Sequence, residues 1–207
     1  MPRRADTLPL FDPPATLPEG FVYLADFLVP TEQEELIQAI GRLAFREVRM
    51  HGVVARRRIV QFGWRYHFDS RSLEGGEPVP GWLEPLQRRA GRFAQRAPEE
   101  LSEVLVTEYQ PGATIGWHRD APPFGLVVGV SLLSACRMRF RRGSDRSAER
   151  AECRLDPGSA YLLQGPARSD WQHSIPAVTS LRYSVTFRTL AERHRVAHEV
   201  QQARAEP

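Results

Sequence analysis

Three residues in the second half of the chain have the side-chain types and spacing of a metal site. His118 and Asp120 form an H-x-D pair. Residues two apart in an extended segment project to the same side, so this imidazole and this carboxylate can converge on one point. His173 lies about 55 residues further on and supplies a second imidazole. Two histidines and one carboxylate are the set that holds non-haem Fe(II) with one face of the metal open.

A strand pattern near the C-terminus adds two cations. Residues 182–188 alternate with period two, which places one set on one face, namely Tyr183, Val185 and Phe187, and the other set on the opposite face, namely Arg182, Ser184, Thr186 and Arg188. At about 3.3 Å per residue the two arginines stand roughly 20 Å apart and point the same way. Because each side chain can lean inward, the pair can bracket a small dicarboxylate. A solvated strand face is the alternative interpretation.

Taken together, these segments resemble the AlkB family of Fe(II)- and 2-oxoglutarate-dependent dioxygenases. The matching motifs occur in the order Tyr109-x-Pro-Gly112, His118-x-Asp120, His173 and Arg182-Tyr-x-x-Thr-Phe-Arg188. The segments 20–28 and 62–66 are also similar, and the resemblance covers roughly residues 18 to 190. The ending with its two arginines is far more specific than H-x-D.

The resemblance implies both a fold and a chemistry. The fold is a double-stranded β-helix, or jelly roll, with two N-terminal helices packed on one sheet. The triad His118, Asp120 and His173 would hold Fe(II), with 2-oxoglutarate and O2 as co-substrates. The co-substrate would chelate iron through its keto-acid end, supported by Arg188. The residues implied at its distal carboxylate and beside it are Arg182, Tyr109 and Ser184.

Residues 45–71 interleave arginines with aromatic side chains. Basic groups can neutralise phosphates and aromatic faces can stack on bases, whereas a solvated cover whose aromatics face the core explains the same pattern equally well. In AlkB-like enzymes this region is the lid over the substrate base. The resemblance therefore implies phosphate contacts from Arg56, Arg57 and Arg58, and base contacts from Trp64, Tyr66 and Phe68.

The chain departs from the family pattern at three places. Thr107 and Ser184 stand where family members often carry asparagine, and both keep a hydroxyl for hydrogen bonding. Ala121, Pro122 and Pro123 follow the H-x-D aspartate where several members carry an acidic residue. The first departure bears on the affinity for 2-oxoglutarate, and the second bears on base selectivity.

Composition bounds the class of protein. The 207 residues suit one domain with a full core, and a net charge of +3 with no lysine permits nucleic-acid binding without requiring it. Two cysteines make no disulfide framework, and no apolar run approaches membrane-spanning length. We expect a cytoplasmic monomer with an irregular arm at 1–18, the dioxygenase domain at 19–190 with a lid at 45–71, and a polar tail at 191–207.

The elements that must position these residues indicate an α+β chain. A capping box with Thr31 as N-cap and Glu34 at N3 predicts a helix to about residue 44. A second amphipathic helix is predicted over 81–97, with Trp82, Leu86, Ala90 and Phe93 on its apolar face. Short strands from residue 103 onward predict a two-sheet β core.

Three functions are consistent with the sequence. The first is oxidative dealkylation of N-alkylated nucleobases in DNA or RNA, on a single strand or a flipped base, releasing formaldehyde, succinate and CO2. The second is the same chemistry on tRNA, a protein or a small molecule. The third is a binding module or a zinc site with the same ligands. The Arg182 and Arg188 strand counts against zinc, because zinc hydrolysis needs no dicarboxylate clamp.

Overall fold

The computed structural model describes residues 16–50, 53–67, 70, 72–143, 147–192 and 194. Three predictions fall wholly or mostly outside these residues. They concern Phe68, most of the arm at 1–18 and most of the tail at 191–207. The predicted domain boundaries stay predictions.

Twelve strands in the described residues form two antiparallel sheets. The larger sheet has the order β1-β10-β7-β12-β5-β3-β2, with β4 paired to β3, and the smaller has the order β6-β11-β8-β9. The strands are β1 Phe21–Leu24, β2 Arg46–Met50, β3 Val53–His67, β4 Ser72–Gly75, β5 Glu103–Tyr109, β6 Ile115–His118, β7 Phe124–Leu132, β8 Cys136–Arg142, β9 Glu149–Leu155, β10 Ala160–Leu163, β11 Gln172–Ile175 and β12 Arg182–Leu190.

Helices cover the outer face of the larger sheet. They are α1 Pro30–Ile40 and α2 Glu84–Ala94. A short third helix, α3 Gly165–Ser169, packs elsewhere, because its Ala167 belongs to a different apolar cluster. Ile40, Leu86 and Ala90 share one apolar cluster with Val104 and Phe187 of the sheet. The predicted jelly-roll core with two helices on one sheet is confirmed. No helix among the described residues has the length and apolar character needed to cross a bilayer.

The predicted start of the first helix is wrong. The helix begins at Pro30, and its N-cap is Val29 rather than Thr31. Proline fits the first helical position because that position needs no N–H donor and its φ is already helical. The Glu32 carboxylate, not that of Glu34, accepts a hydrogen bond from the Val29 N–H at 3.1 Å. The helix ends at Ile40, before the predicted residue 44.

The second helix is shorter than the predicted 81–97. A 3-10 turn at Gly81–Leu83 precedes it, and Gln95 ends it in the left-handed conformation at φ 55°. Its apolar face is as predicted, because Leu86 and Ala90 are buried while Trp82 and Phe93 pack against the same cluster.

A second apolar cluster lies between the two sheets. It includes Tyr109, Val127 and Leu163 from the larger sheet, and Met138 and Phe140 from the smaller one. The polar residues of the predicted site lie in this inter-sheet space as well. Their side chains therefore sit among apolar neighbours, where charge and hydrogen bonding carry more energy than in water.

The predicted alternation of β12 is confirmed. Its outward-facing residues Tyr183, Val185 and Phe187 belong to the cluster under the helices. Arg182, Ser184 and Thr186 are buried on the opposite face. This strand lies between β5 and β7, so both of its edges are hydrogen-bonded and its register is fixed on two sides.

Candidate active site

Strand pairing brings the two histidines together. β6 and β11 are antiparallel neighbours in the smaller sheet, and His118 lies directly opposite His173. Side chains directly opposite each other on antiparallel strands lie on the same face of the sheet. The two imidazole centroids are 4.2 Å apart, with the rings tilted by 57°.

Asp120 completes the predicted triad just beyond the end of β6. Its Oδ2 lies 3.7 Å from Nε2 of His173. Ligand atoms of His118, Asp120 and His173 all lie within 4.8 Å of one another. The structure therefore places the three predicted residues together, although about 55 positions separate the histidines.

Hydrogen bonds orient two of the three ligands. His118 Nδ1 lies 2.9 Å from the Gly116 carbonyl oxygen, and a proton shared there leaves Nε2 with a free lone pair. Arg188 donates to Asp120 Oδ1 from Nε at 3.1 Å and from Nη2 at 2.8 Å. Asp120 Oδ2 is buried and has no hydrogen-bond partner among the described residues.

The surroundings hold two of the ligands, His173 and Asp120, in their metal-binding protonation states. Burial lowers the pKa of His173 to about 4, so its imidazole is neutral at pH 7. Burial alone would raise the pKa of Asp120, but Arg188 and His173 outweigh it and hold that pKa well below its usual range. A neutral imidazole and an ionised carboxylate with one unpartnered oxygen fit a divalent cation.

Arg188 is paired on both sides. In addition to Asp120, its Nη1 donates to the buried Glu103 carboxylate at 2.8 Å. Glu103 also accepts a hydrogen bond from Gln61 of β3 at 2.9 Å. Burial opposes the charge on Arg188, but the two carboxylates outweigh it and raise the pKa of the guanidinium. A continuous series of polar contacts thus runs from the predicted lid strand to Asp120.

Arg182, unlike Arg188, has no carboxylate partner among the described residues. Its side chain is 1% exposed, and its one hydrogen bond in the described residues goes from Nη2 to the Ser131 hydroxyl at 3.2 Å. Its guanidinium carbon stands 4.7 Å from the Tyr109 ring centroid. Nε and Nη1 are buried and have no hydrogen-bond partner among the residues that the structure describes. Because burying an unpaired cation is costly, this arrangement fits a bound carboxylate.

Thr107 and Ser184, the two hydroxyl residues that stand where family members often carry asparagine, face each other. Ser184 of β12 lies directly opposite Thr107 of β5, and both are buried in the inter-sheet space. Ser184 Oγ donates to the Tyr109 hydroxyl at 3.5 Å. Arg182, Tyr109 and Ser184 are therefore neighbours, as the resemblance implied, and their roles toward a co-substrate stay predictions.

The three consecutive arginines of β3 do not point the same way. Arg57 lies opposite Tyr109 and its Nη1 donates to the Thr114 carbonyl at 3.4 Å. Arg58 lies opposite Glu108, and its Nε donates to that carboxylate at 2.8 Å. Arg58 also covers the Phe45 ring, on the helix-covered face of the sheet.

The remaining lid residues lie at the rim of the larger sheet. Arg56 is exposed, and its Nη1 approaches the turn at Gly112, where an added Cβ would lie 2.6 Å from it. Trp64 and Tyr66 are half-buried where β3 pairs with β4. The substrate roles assigned to Arg56, Arg57, Arg58, Trp64 and Tyr66 stay predictions.

Three residues that hold the site residues or the adjoining loop in place were not predicted from the sequence. Glu103 and Ser131 are the partners of the two arginines, and the short strand alternation around them carries no sign of that pairing. Arg168 ties down the loop after Asp120, donating to the carbonyls of Ala121 at 2.9 Å, Phe124 at 2.8 Å and Gly125 at 3.0 Å. The position of Arg168 in the sequence, shortly before His173, was the only feature that could have indicated its place near the site.

Residues 20–197 match the sequence model of the 2OG-Fe(II) oxygenase superfamily. That match covers most of the chain. The chain belongs to this superfamily and, within it, to the AlkB family. Fe(II), 2-oxoglutarate and O2 are therefore confirmed as its metal and co-substrates, and the chain is a 2-oxoglutarate-dependent dioxygenase.

Relatives of this AlkB-family chain have names that refer to different nucleic acids. It is 27% identical over 192 residues to the Arabidopsis thaliana "Alkylated DNA repair protein ALKBH8 homolog", covering 81% of this chain and 53% of that protein. It is 23% identical over 175 residues to the Mus musculus "tRNA (carboxymethyluridine(34)-5-O)-methyltransferase ALKBH8", covering 77% of this chain and 24% of that protein. The chain thus spans about half of one relative and a quarter of the other.

A solved structure has the same fold. The structure of OsALKBH1 superposes with a TM-score of 0.65 at 18% identity, covering 86% of this chain and all of that one. At this identity the likeness supports the jelly-roll fold alone.

Proposed function

We propose that this AlkB-family chain oxidatively removes alkyl groups from N-alkylated nucleobases in DNA or RNA. In this proposal His118, Asp120 and His173 hold Fe(II). Arg182, Tyr109 and Ser184 hold the distal part of 2-oxoglutarate, and Arg188 acts at the iron-side end of the site. The products are the unmodified base, formaldehyde, succinate and CO2.

The observation that carries the proposal is the buried, unpaired guanidinium of Arg182. It lies on the same face of β12 as Arg188, which binds the triad carboxylate. A metal triad alone also suits hydrolysis, but the hydrolytic step does not itself require a buried cation that can bind an anion. Two unsatisfied N–H groups at one end and one unsatisfied carboxylate oxygen at the other fit a dianion and a cation, respectively.

Bound at this triad, Fe(II) would supply the activation of O2 that is coupled to the decarboxylation of 2-oxoglutarate. One oxygen atom of O2 would end in succinate and the other in the hydroxylated alkyl carbon of the substrate. The N-hydroxymethyl group formed from an N-methyl substrate would release formaldehyde and leave N–H on the base.

The residues of this chain prepare that chemistry. The Gly116 carbonyl fixes the ring of His118, and Arg188 keeps Asp120 ionised with one oxygen free for the metal. Arg182 supplies a positive charge to a carboxylate in surroundings that exclude water, where the pairing is strong. The apolar cluster between the sheets keeps water from the reacting centre.

A nucleobase substrate is favoured by the arginines and aromatic residues at the rim. A base within a duplex is out of reach of a site between two sheets, so the substrate is single-stranded or its base is flipped. In this proposal Arg56 and Arg57 contact phosphates, and Trp64 and Tyr66 stack on bases. The "DNA repair" in the name of the Arabidopsis relative supports the same class of substrate.

A tRNA substrate is the second candidate, favoured by the name of the mouse relative. Proteins and small molecules take third place, because neither needs a rim rich in arginine and aromatic residues. Action in the cytoplasm and a monomeric state remain part of the proposal.

Formaldehyde release from defined oligonucleotides tests the proposal. The panel contains N-methylated single-stranded DNA, duplex DNA, RNA and tRNA, each with an unmodified counterpart. We expect turnover on at least one methylated nucleic acid and none with His118→Ala, which lacks one metal ligand. Turnover only on tRNA selects the second candidate. If 2-oxoglutarate is consumed while every nucleic acid remains unchanged, the nucleobase assignment is wrong.

The lid assignment is tested with two single variants of neighbouring arginines. Arg56→Ala removes an exposed cation at the rim, whereas Arg58→Ala removes one that is already paired with Glu108. We expect Arg56→Ala to reduce the salt dependence of single-stranded DNA binding by about one phosphate contact, and Arg58→Ala to change it less. Equal salt slopes in both variants and the parent protein would place the strand elsewhere.

A further inference from the structure

Tyr161 lies in a row of side chains that crosses the sheet between the two arginines, nearer to Arg188 than to Arg182. It belongs to β10 and stands directly opposite Gly129 of β7. Gly129 in turn stands opposite Thr186 of β12, which is two residues from Ser184 and two from Arg188. Residues opposite one another across an antiparallel sheet share a face. Tyr161 therefore faces the same inter-sheet space as Arg182 and Arg188.

The missing side chain at Gly129 lets the phenol extend over β7. A Cβ added to Gly129 would lie 2.2 Å from Cζ of Tyr161 and 2.5 Å from its hydroxyl oxygen. No real Cβ approaches that closely, so only glycine at position 129 accommodates this placement. The hydroxyl consequently reaches past its own strand toward β12.

The surroundings of the phenol come from both ends of the site. Its electrostatic neighbours are Tyr109 and Arg182 at one end, and Asp120 and Arg188 at the other. Burial raises the pKa of Tyr161 above its ordinary value, so the hydroxyl carries its proton at neutral pH. Within the described part of the chain this hydroxyl has no hydrogen-bond partner.

We propose that the Tyr161 hydroxyl donates a hydrogen bond to the bound dicarboxylate co-substrate. Tyr161 would then be a co-substrate-binding residue in addition to Arg182, Tyr109 and Ser184. The inference rests on the proposed function, because it takes the space between the triad and Arg182 as the co-substrate pocket. A molecule that extends from the triad to Arg182 passes beside the row of Tyr161, Gly129 and Thr186. The protonated phenol of Tyr161 can then donate a hydrogen bond to it.

Packing alone does not account for the hydroxyl. The Tyr161 ring stacks against Phe21, with centroids 6.0 Å apart, and this contact fills space between the sheets. Phenylalanine would make the same contact without placing a donor in the pocket. The variant Tyr161→Phe therefore separates the role of the hydroxyl from that of the ring.

The chain offers a matched control in Tyr23. It stands directly opposite Tyr161 on β1 and belongs to the same inter-sheet cluster. Its hydroxyl is already engaged, since it accepts a hydrogen bond from the Asp156 N–H at 3.3 Å. Tyr23→Phe thus removes a neighbouring phenol hydroxyl of the same row that does not serve the pocket.

The experiment is an anaerobic titration of 2-oxoglutarate into the Fe(II)-loaded full chain, followed by visible charge-transfer absorption and by calorimetry. A hydrogen bond to a charged group is worth enough that its loss weakens binding roughly tenfold or more. We expect this weakening in Tyr161→Phe and an unchanged Kd in Tyr23→Phe. Melting of the metal-free variants checks that both are folded.

Two outcomes overturn the inference while leaving the proposed function intact. These are an unchanged Kd in Tyr161→Phe, and an equal loss in both variants. Failure of the parent protein to bind 2-oxoglutarate overturns the proposed function and this inference with it. If Tyr161→Phe does not fold, 3-fluorotyrosine at position 161 replaces it. Its fluorine resonance must then move when 2-oxoglutarate is added, and a stationary signal refutes the contact.

Discussion

Arg182 and Arg188 lie on one face of one strand, yet their surroundings are opposite. Arg188 donates to two buried carboxylates, those of Asp120 and Glu103. Arg182 donates to one serine hydroxyl, and its two other guanidinium nitrogens are buried with no hydrogen-bond partner in the described part of the chain. A buried ion pair is part of the folded structure, whereas a buried cation without an anion is a binding site. We therefore expect the two identical residues to have different roles, a structural one for Arg188 and a ligand-binding one for Arg182.

The largest expected effect comes from removing the paired arginine. Arg188→Leu leaves Asp120 and Glu103 as buried carboxylates without their cation, so we expect the free energy of unfolding to fall by about 3–5 kcal/mol. Urea unfolding of the metal-free protein measures this change. Arg188→Lys serves as the control and should recover part of the loss. A stability within about 1 kcal/mol of the parent would show that the two arginines do not differ in this way.

Removing the unpaired arginine should have the converse effect. Arg182→Leu relieves a buried cation, so the free energy of unfolding should stay within about 1 kcal/mol of the parent value or rise. The same variant should weaken 2-oxoglutarate binding roughly 100-fold, because charge-assisted hydrogen bonds are lost.

Anaerobic calorimetry and urea unfolding together test Arg182. If Arg182→Leu destabilises the protein as much as Arg188→Leu does, its guanidinium has a structural partner and the pocket assignment fails. Unaltered affinity for 2-oxoglutarate in a stable Arg182→Leu variant would place the co-substrate away from this arginine.

The smallest effect is expected from changing Ser184, which lies beside Arg182. Ser184→Ala removes a hydroxyl that makes a long 3.5 Å contact to the Tyr109 hydroxyl. Such a contact is weak, so we expect a loss in 2-oxoglutarate affinity of only about threefold and no change in stability. Titration under the same anaerobic conditions measures it, and Thr186→Ser on the same face is the control. A tenfold loss would make Ser184 a direct ligand of the co-substrate.

Alternation along one strand was sufficient to predict the faces of β12. A period of two is imposed by backbone geometry, so Tyr183 and Ser184 must point to opposite sides wherever the strand lies. The same rule was available for Arg56, Arg57 and Arg58, because consecutive strand residues cannot share a face. It indicates that a single phosphate-contacting row of all three conflicts with a regular strand.

Partners across strands could not be read from the sequence. Glu103 and Arg188 are 85 positions apart, and their pairing depends on the register between β5 and β12. Tyr161 and Gly129 meet through a register between two further strands. Local patterns give the face of each residue but not the neighbouring strand, and motif matching recovered only those long-range contacts that belong to the triad and to Arg182.

The predicted helix boundaries were wrong because of the local sequence at the helix ends. Thr31 and Glu34 have the spacing of a capping box, but Pro30 already occupies the first helical position. Gln95 ends the second helix at a positive φ. Glutamine rarely adopts this conformation, so the residue type gave no signal of the helix end. Both errors change the ends of helices that lie away from the triad, and they do not alter which residues the sequence proposes for the site.

The orientation of the triad by Gly116 and Arg188 has a consequence for metal selection. Two of the three ligands are already directed by protein groups, so a divalent ion of suitable size enters a ready geometry. For such a nitrogen and oxygen set, intrinsic affinity rises from manganese through iron and cobalt to nickel and copper. Iron is thus not the ion that these ligands bind most tightly. Loading with iron therefore depends on the supply of metal ions as well as on ligand geometry, and cobalt or nickel in excess should displace iron as competitive inhibitors.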